Sequence, residues 1–242
     1  MIPRIHLDVA QPLHPGESLT LPPEQGRHVA QALRMRAGDA LTLFTGGGGE
    51  YEATIERIER RDVVVRIEHH VAIERESTFP VTLVQAVIAG DMMDLVVRKA
   101  VELGVAAIVP VLAARSQGVP AARAARRAAH WRQIAIAACE QSGRNRIPQV
   151  HDVVSLTQWL TSSDAPALSV ILDASASASL VSVAANAMPN WLMSGPEGGF
   201  TAEEVQAAVA RGFVAAHLGP RVLRAETAPL AALATLNALA EK

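Results

Sequence analysis

The rhythm of apolar and polar positions changes once along the chain. Up to about residue 74 the apolar residues fall in short β-rich runs, 41–44, 51–55 and 62–67, each bounded by glycine or charge, which predicts strands. One stretch departs from this: 22–35 opens on two prolines, carries helical spacing and stops before Gly38, so a helix is expected there. From 81–88 onward, short apolar runs alternate with amphipathic ones. The pattern predicts a helix over 94–103 stopped by Gly104, a buried strand over 106–112, a long helix over 123–142 and strands over 169–173 and 191–194. A helix over 201–211 follows, with Thr201 as its cap and Glu204 at the capping-box spacing, then a strand over 213–217 and a closing helix over 230–240. Strands followed by strand–helix alternation predict a small β-barrel, residues 1–74, ahead of an α/β domain, residues 75–242.

Composition narrows the class. Half of the 242 residues are apolar, yet charges and turn formers interrupt every run before it reaches membrane-spanning length. The residues after Met1 supply no apolar leader core. One cysteine excludes an intrachain disulfide and a multi-thiolate metal site, and fits a reducing compartment, so a cytoplasmic protein is expected. Cys139 itself sits in an apolar stretch and reads as a buried small hydrophobe. The eight histidines show no ligand spacing beside a carboxylate, so no metal is expected.

The net charge of −2 argues against a protein that coats nucleic acid by bulk electrostatics. Local patches are another matter. Between Arg115 and Arg146 stand seven arginines against the single acid Glu140, and Arg27, Arg34 and Arg36 form a smaller acid-free group. Such a run reads either as a solvated helix face or as a set of phosphate contacts.

Two loops carry the densest chemistry. Ser194-Gly-Pro-Glu-Gly-Gly-Phe-Thr201 joins a buried strand to a capped helix, and in a parallel α/β sheet ligands bind beyond the carboxyl ends of the strands. Glycines there let the backbone approach a ligand without a Cβ in the way. Leu218-Gly-Pro-Arg-Val-Leu-Arg-Ala-Glu-Thr-Ala228 follows the next strand, so the two loops would converge on one ligand. Structural readings stand beside this one: a tight turn with an incidental Glu197, an Arg224–Glu226 ion pair, and Thr227 as a helix cap. Gly46–Gly49 lacks a following Lys-Ser/Thr and reads as a hairpin loop rather than a phosphate cradle. Lys99 and Glu102, three apart on a helix, read as an ion pair at least as well as a catalytic pair.

These loops, together with Gly90-Asp-Met-Met-Asp94, Lys99-Ala-Val-Glu-Leu-Gly-Val105, Arg115-Ser116, Ala137-Ala-Cys-Glu-Gln-Ser-Gly-Arg-Asn-Arg-Ile-Pro148 and Arg34-Met-Arg-Ala-Gly-Asp39, strongly resemble the RsmE family of small-subunit rRNA uridine-N3 methyltransferases in the SPOUT superfamily. The resemblance covers nearly the whole chain in order. It implies a PUA-like β-barrel for RNA, a SPOUT-type α/β domain whose last segment threads a trefoil knot, S-adenosylmethionine as cofactor, 16S rRNA of the small subunit as substrate and a homodimer. It places the cofactor among Leu172, Asp173, Ala174, Gly195, Pro196, Glu197, Gly198, Gly199, Leu218, Gly219, Leu223, Arg224, Glu226 and Thr227. Met92 stands where the family commonly has a basic residue.

Methylation at uridine N3 requires loss of its proton and stabilisation of charge spreading onto O2 and O4. Arg224 is the candidate cation, and Glu197 the candidate proton acceptor or orienting group. Candidates for RNA phosphate contacts are Arg27, His28, Arg34, Arg36, Arg115, Arg144 and Arg146. Two alternatives use the same residues: another SPOUT target, ribose 2′-O or guanine N1, and a non-enzymatic ribosome-assembly factor.

Overall fold

The computed structural model describes residues 2–9, 12–60, 62–117, 121–163 and 168–240. They form two units, Met1–Glu76 with Cys139–Ile147, and Ser77–Ala138 with Pro148–Lys242.

The first unit is built on β1 (Arg4–His6), β2 (Ser18–Thr20), α1 (Pro23–Arg27), β3 (Ala40–Phe44), β4 (Glu50–Glu59) and β5 (Asp62–Val71). The sheet order is β1-β3-β4-β5-β2; β1 runs parallel to β3 and the other pairs are antiparallel. Alternate residues of these strands, among them Leu41, Leu43, Ile55, Val63, Val65 and Ile67, fill one core with Ile5, Leu7 and Val29. β4 and β5 run further than their apolar patterns suggest, because the ladder continues through charged outer halves and takes up register shifts at Glu52/Ala53 and Ile55/Arg57. The expected helix over 22–35 is shorter. Pro22 precedes its first turn, but after Arg27 it widens into a π-helical turn, His28–Ala32, and Arg34 then enters the left-handed region at φ 55°.

Sequence reading places residues 139–147 wholly in the α/β domain, whereas here they belong to the first unit. Polar contacts explain this. Asn145, fully buried, donates to the Ile73 carbonyl at 2.8 Å, and Glu140 accepts from the His6 amide at 2.9 Å. Arg75 donates to the Gly143 carbonyl at 2.9 Å.

The second unit contains β6 (Thr82–Ala86), α2 (Gly90–Glu102), β7 (Ala107–Leu112), α3 (Ala121–Ser142), β8 (Gln149–Val150), β9 (Val154–Ser155), α4 (Leu156–Ser162), β10 (Ser169–Leu172), β11 (Ala178–Ser179), α5 (Leu180–Ala184), β12 (Trp191–Ser194), α6 (Ala202–Ala210), β13 (Phe213–His217) and α7 (Thr227–Ala240). The last turn of α3 lies in the first unit. The strands are all parallel in the order β11-β13-β10-β12-β6-β7-β8, with β9 beside β7. Cover on both faces explains their near-continuous apolar sequences. On one face Val84, Val109, Ile171 and Met193 pack against α4 and α6, where the Trp159 and Trp191 rings lie 4.8 Å apart. α2 buries Met93, Val96, Val97, Ala100 and Val101.

Candidate active site

The adjacent strands β13, β10 and β12 end at one edge of the sheet, and the loops that leave them enclose a cavity of about 390 Å³. A volume of this size suits a nucleoside-sized ligand. The loop after β10 supplies Leu172, Asp173 and Ala174, with Asp173 held in place by accepting from the Ser175 amide and hydroxyl at 2.8 and 2.7 Å. The loop after β12 supplies Gly195, Pro196, Glu197 and Gly199, and that after β13 supplies Leu218, Gly219, Leu223, Arg224 and Glu226. Two of the residues assigned to the cofactor fall outside the lining: Gly198 turns against the Arg115 side chain, and Thr227 is exposed at the start of α7.

Local chemistry shapes these loops. Gly199 and Gly219 adopt φ of 69° and 107°, which residues with a Cβ rarely occupy. A Cβ on Gly195 would lie 3.3 Å from the Phe200 ring. The Thr201 cap and the Glu204 carboxylate close a capping box at the start of α6, as the spacing predicts; Glu204 also accepts from the Ala114 amide at 2.7 Å. Arg115 donates to the Gly198 carbonyl at 2.7 Å, and Glu197 accepts from the Ala89 amide at 2.8 Å, just before α2. The loop after β12 is therefore tied to its surroundings on both sides.

Arg224 is exposed at the cavity, and among the described residues no ion pair joins it to Glu226. Thr227 is the first residue of α7 rather than a capping residue ahead of it. Sequence reasoning missed Ser194, Ala216, His217, Arg221, Val222, Ala225 and Ala228 in the lining. His217 is the informative omission: its Nδ1 accepts from the Gly219 amide at 2.9 Å and so braces the left-handed turn. A polar residue closing the apolar strand over 213–217 was the available signal.

The candidates for RNA contact divide. Arg27, His28, Arg34 and Arg36 are exposed, and no side-chain hydrogen bond or ion pair engages them among the described residues. Arg144 is the correction: it is only 3% exposed and its guanidinium is ion-paired with Glu76, so it is a structural cation with no face for phosphate. Arg146 is half exposed beside Glu74, 3.6 Å away, and Arg115 is committed in part to the loop after β12. The Gly46–Gly49 loop joins β3 to β4, and its Gly49 amide donates to Glu74 at 2.9 Å. Lys99 and Glu102 form the ion pair that their spacing suggests, at 2.8 Å. Cys139 is buried, and burial pushes its thiol up to about 11, which fits a packing residue.

Residues 75–237 match the model of an RNA methyltransferase domain and residues 21–68 that of an RNA methyltransferase PUA domain, which defines the class: an RNA methyltransferase α/β domain carried with a PUA-like sheet domain. A ribosomal RNA small subunit methyltransferase E of Synechocystis sp. is 32% identical over 229 residues, which cover 93% of this chain and 74% of that protein. The chain belongs to the ribosomal RNA small subunit methyltransferase E family. Among solved structures, a methyltransferase of Legionella pneumophila with bound SAM superimposes at TM-score 0.91 with 38% identity, covering 99% of this chain and 98% of that one. The Neisseria gonorrhoeae family member bound to S-adenosyl methionine does so at 0.90 with 37% identity over the same shares.

Proposed function

We propose that this chain methylates N3 of a uridine in 16S ribosomal RNA of the small subunit, with S-adenosylmethionine as methyl donor. The observation that carries this reading is the convergence of three strand-end loops on one cavity, in a chain similar over almost its full length to proteins crystallised with that cofactor.

The residues present fit such a cofactor. Leu218 and Leu223 offer apolar surface to a flat base, and the left-handed turns at Gly199 and Gly219 keep the cavity free of side chains at those points. When bound, S-adenosylmethionine supplies an electrophilic methyl group on a sulfonium sulfur. Everything else falls to the protein: holding donor and uridine in line, excluding water, and managing one proton.

Arg224 is our candidate for stabilising the negative charge that spreads onto O2 and O4 as the N3 proton leaves. Glu197 is our candidate acceptor of that proton. Its hydrogen bond from Ala89 fixes one carboxylate oxygen and orients the other. The exposed group Arg27, His28, Arg34 and Arg36 would hold RNA by its phosphates. We further infer that the chain acts as a homodimer in the cytoplasm and that its last segment threads a knot, as the family resemblance implies.

The test is direct. Purified protein is incubated with S-adenosylmethionine and small subunits from a strain lacking the modification, and the digested RNA is examined by mass spectrometry. The expected product is 3-methyluridine. A methylated ribose or guanine would identify another target, and no methylation would leave a role in assembly without chemistry.

A further inference from the structure

The seven arginines between Arg115 and Arg146 are equivalent in sequence and unequal in the structure. Arg115 is bonded to Gly198, Arg132 to the Val150 carbonyl and Asp152, Arg144 to Glu76, and Arg146 lies beside Glu74. Three remain: Arg123, Arg126 and Arg127, whose side chains meet no acidic or hydrogen-bonding partner among the described residues. Their i, i+3, i+4 spacing puts them on one face of the first two turns of α3, where Arg123 and Arg126 are exposed and Arg127 is half-buried.

Helix stability does not explain this placement. The amino-terminal end of a helix carries partial positive charge and favours acidic side chains, yet the first turn of α3 contains no acid. Asp94, the carboxylate that reaches α3 from α2, is already shared by His130 and Trp131, at 2.8 and 3.0 Å. Three cations are thus held together against both the helix dipole and one another, with no ion-pair partner among the described residues. An external polyanion removes that penalty. The face also lies on the side of the sheet where the cavity opens, because α3 follows the carboxyl end of β7 and Arg115, in the connecting segment, grips the loop after β12.

We propose that Arg123, Arg126 and Arg127 form an RNA-backbone contact face of the α/β unit, in addition to the basic group of the first unit. The proposal rests on the methyltransferase reading for its choice of polyanion. Arginine suits the role, since its planar fork meets phosphate oxygens two at a time.

Binding of deproteinised small-subunit rRNA is to be measured against salt for the parent, for R123Q/R126Q/R127Q and for R123K/R126K/R127K. Each lost phosphate contact flattens the log–log slope by about 0.7 to 0.9, so the glutamine variant should be shallower by about two to three units, and the lysine variant should keep most of the slope. Calorimetry with S-adenosylmethionine, expected to be the same for all three proteins, shows that the variants are folded. It also separates the two ideas, since a parent that binds no cofactor defeats the methyltransferase reading itself. An unchanged slope overturns the contact face. So does a variant that binds the rRNA like the parent but whole subunits more weakly, which assigns the face to a ribosomal protein.

Discussion

The carboxylate of Glu197 accepts a hydrogen bond from the backbone amide of Ala89 at 2.8 Å, so the loop after β12 is anchored to the start of α2, 108 residues away in sequence. Glu197→Gln preserves an oxygen acceptor for that amide while removing the basic carboxylate. Cofactor affinity should stay at the parental value while kcat falls by about 10²-fold or more. An unchanged kcat would confine Glu197 to holding the loop, a role that Glu197→Ala would then expose as weaker cofactor binding.

Arg224 stands at the cavity without an internal ion-pair partner among the described residues, and its removal should cost chemistry rather than stability. Arg224→Ala should lower the single-turnover methylation rate at saturating cofactor by about 10²- to 10³-fold. Its unfolding midpoint should match that of the parent.

Arg144 and Arg34 should separate in the opposite sense. Removing one partner of a buried ion pair leaves an uncompensated charge, so Arg144→Ala should destabilise the protein by about 3 kcal/mol or more in denaturant titration. Exposed Arg34 carries no such load. Arg34→Gln should leave stability within about 0.5 kcal/mol and make the salt dependence of RNA binding shallower by about 0.7 to 0.9.

Glu50 supplies a pH-dependent term. Burial opposes its charge, but hydrogen bonds from Arg75 and Arg4 prevail and lower it from 4.5 to about 2. A carboxyl lowered on folding stabilises the native state above its unfolded value, and that contribution is lost as pH falls through the folded one. The first unit should therefore lose stability between about pH 4.5 and 2, and Glu50→Gln should flatten that part of the pH–stability curve.

Much of this was legible because local rules agreed with the fold. The strands over 191–194 and 213–217 end where turn chemistry begins, and the Thr201–Glu204 pair marks the start of α6. What stayed hidden depends on distant partners. β8, β9 and β11 are two residues long and exist only through pairing with β7 and β13. The burial of Arg144 is set by Glu76, 68 residues away, so its sequence neighbours show a charge run and nothing of its partner. The early end of the helix after Ala32 turns on one residue, Arg34, whose left-handed conformation no propensity anticipates.

The central claim is that the loops after β10, β12 and β13 bind S-adenosylmethionine, and titration calorimetry tests it most directly. Saturable binding of both S-adenosylmethionine and its demethylated product is expected, one per chain. Both should be lost in Gly219→Val, where φ of 107° cannot accept a β-branched side chain without strain. Absence of heat with either ligand, from a folded parent protein, would contradict it.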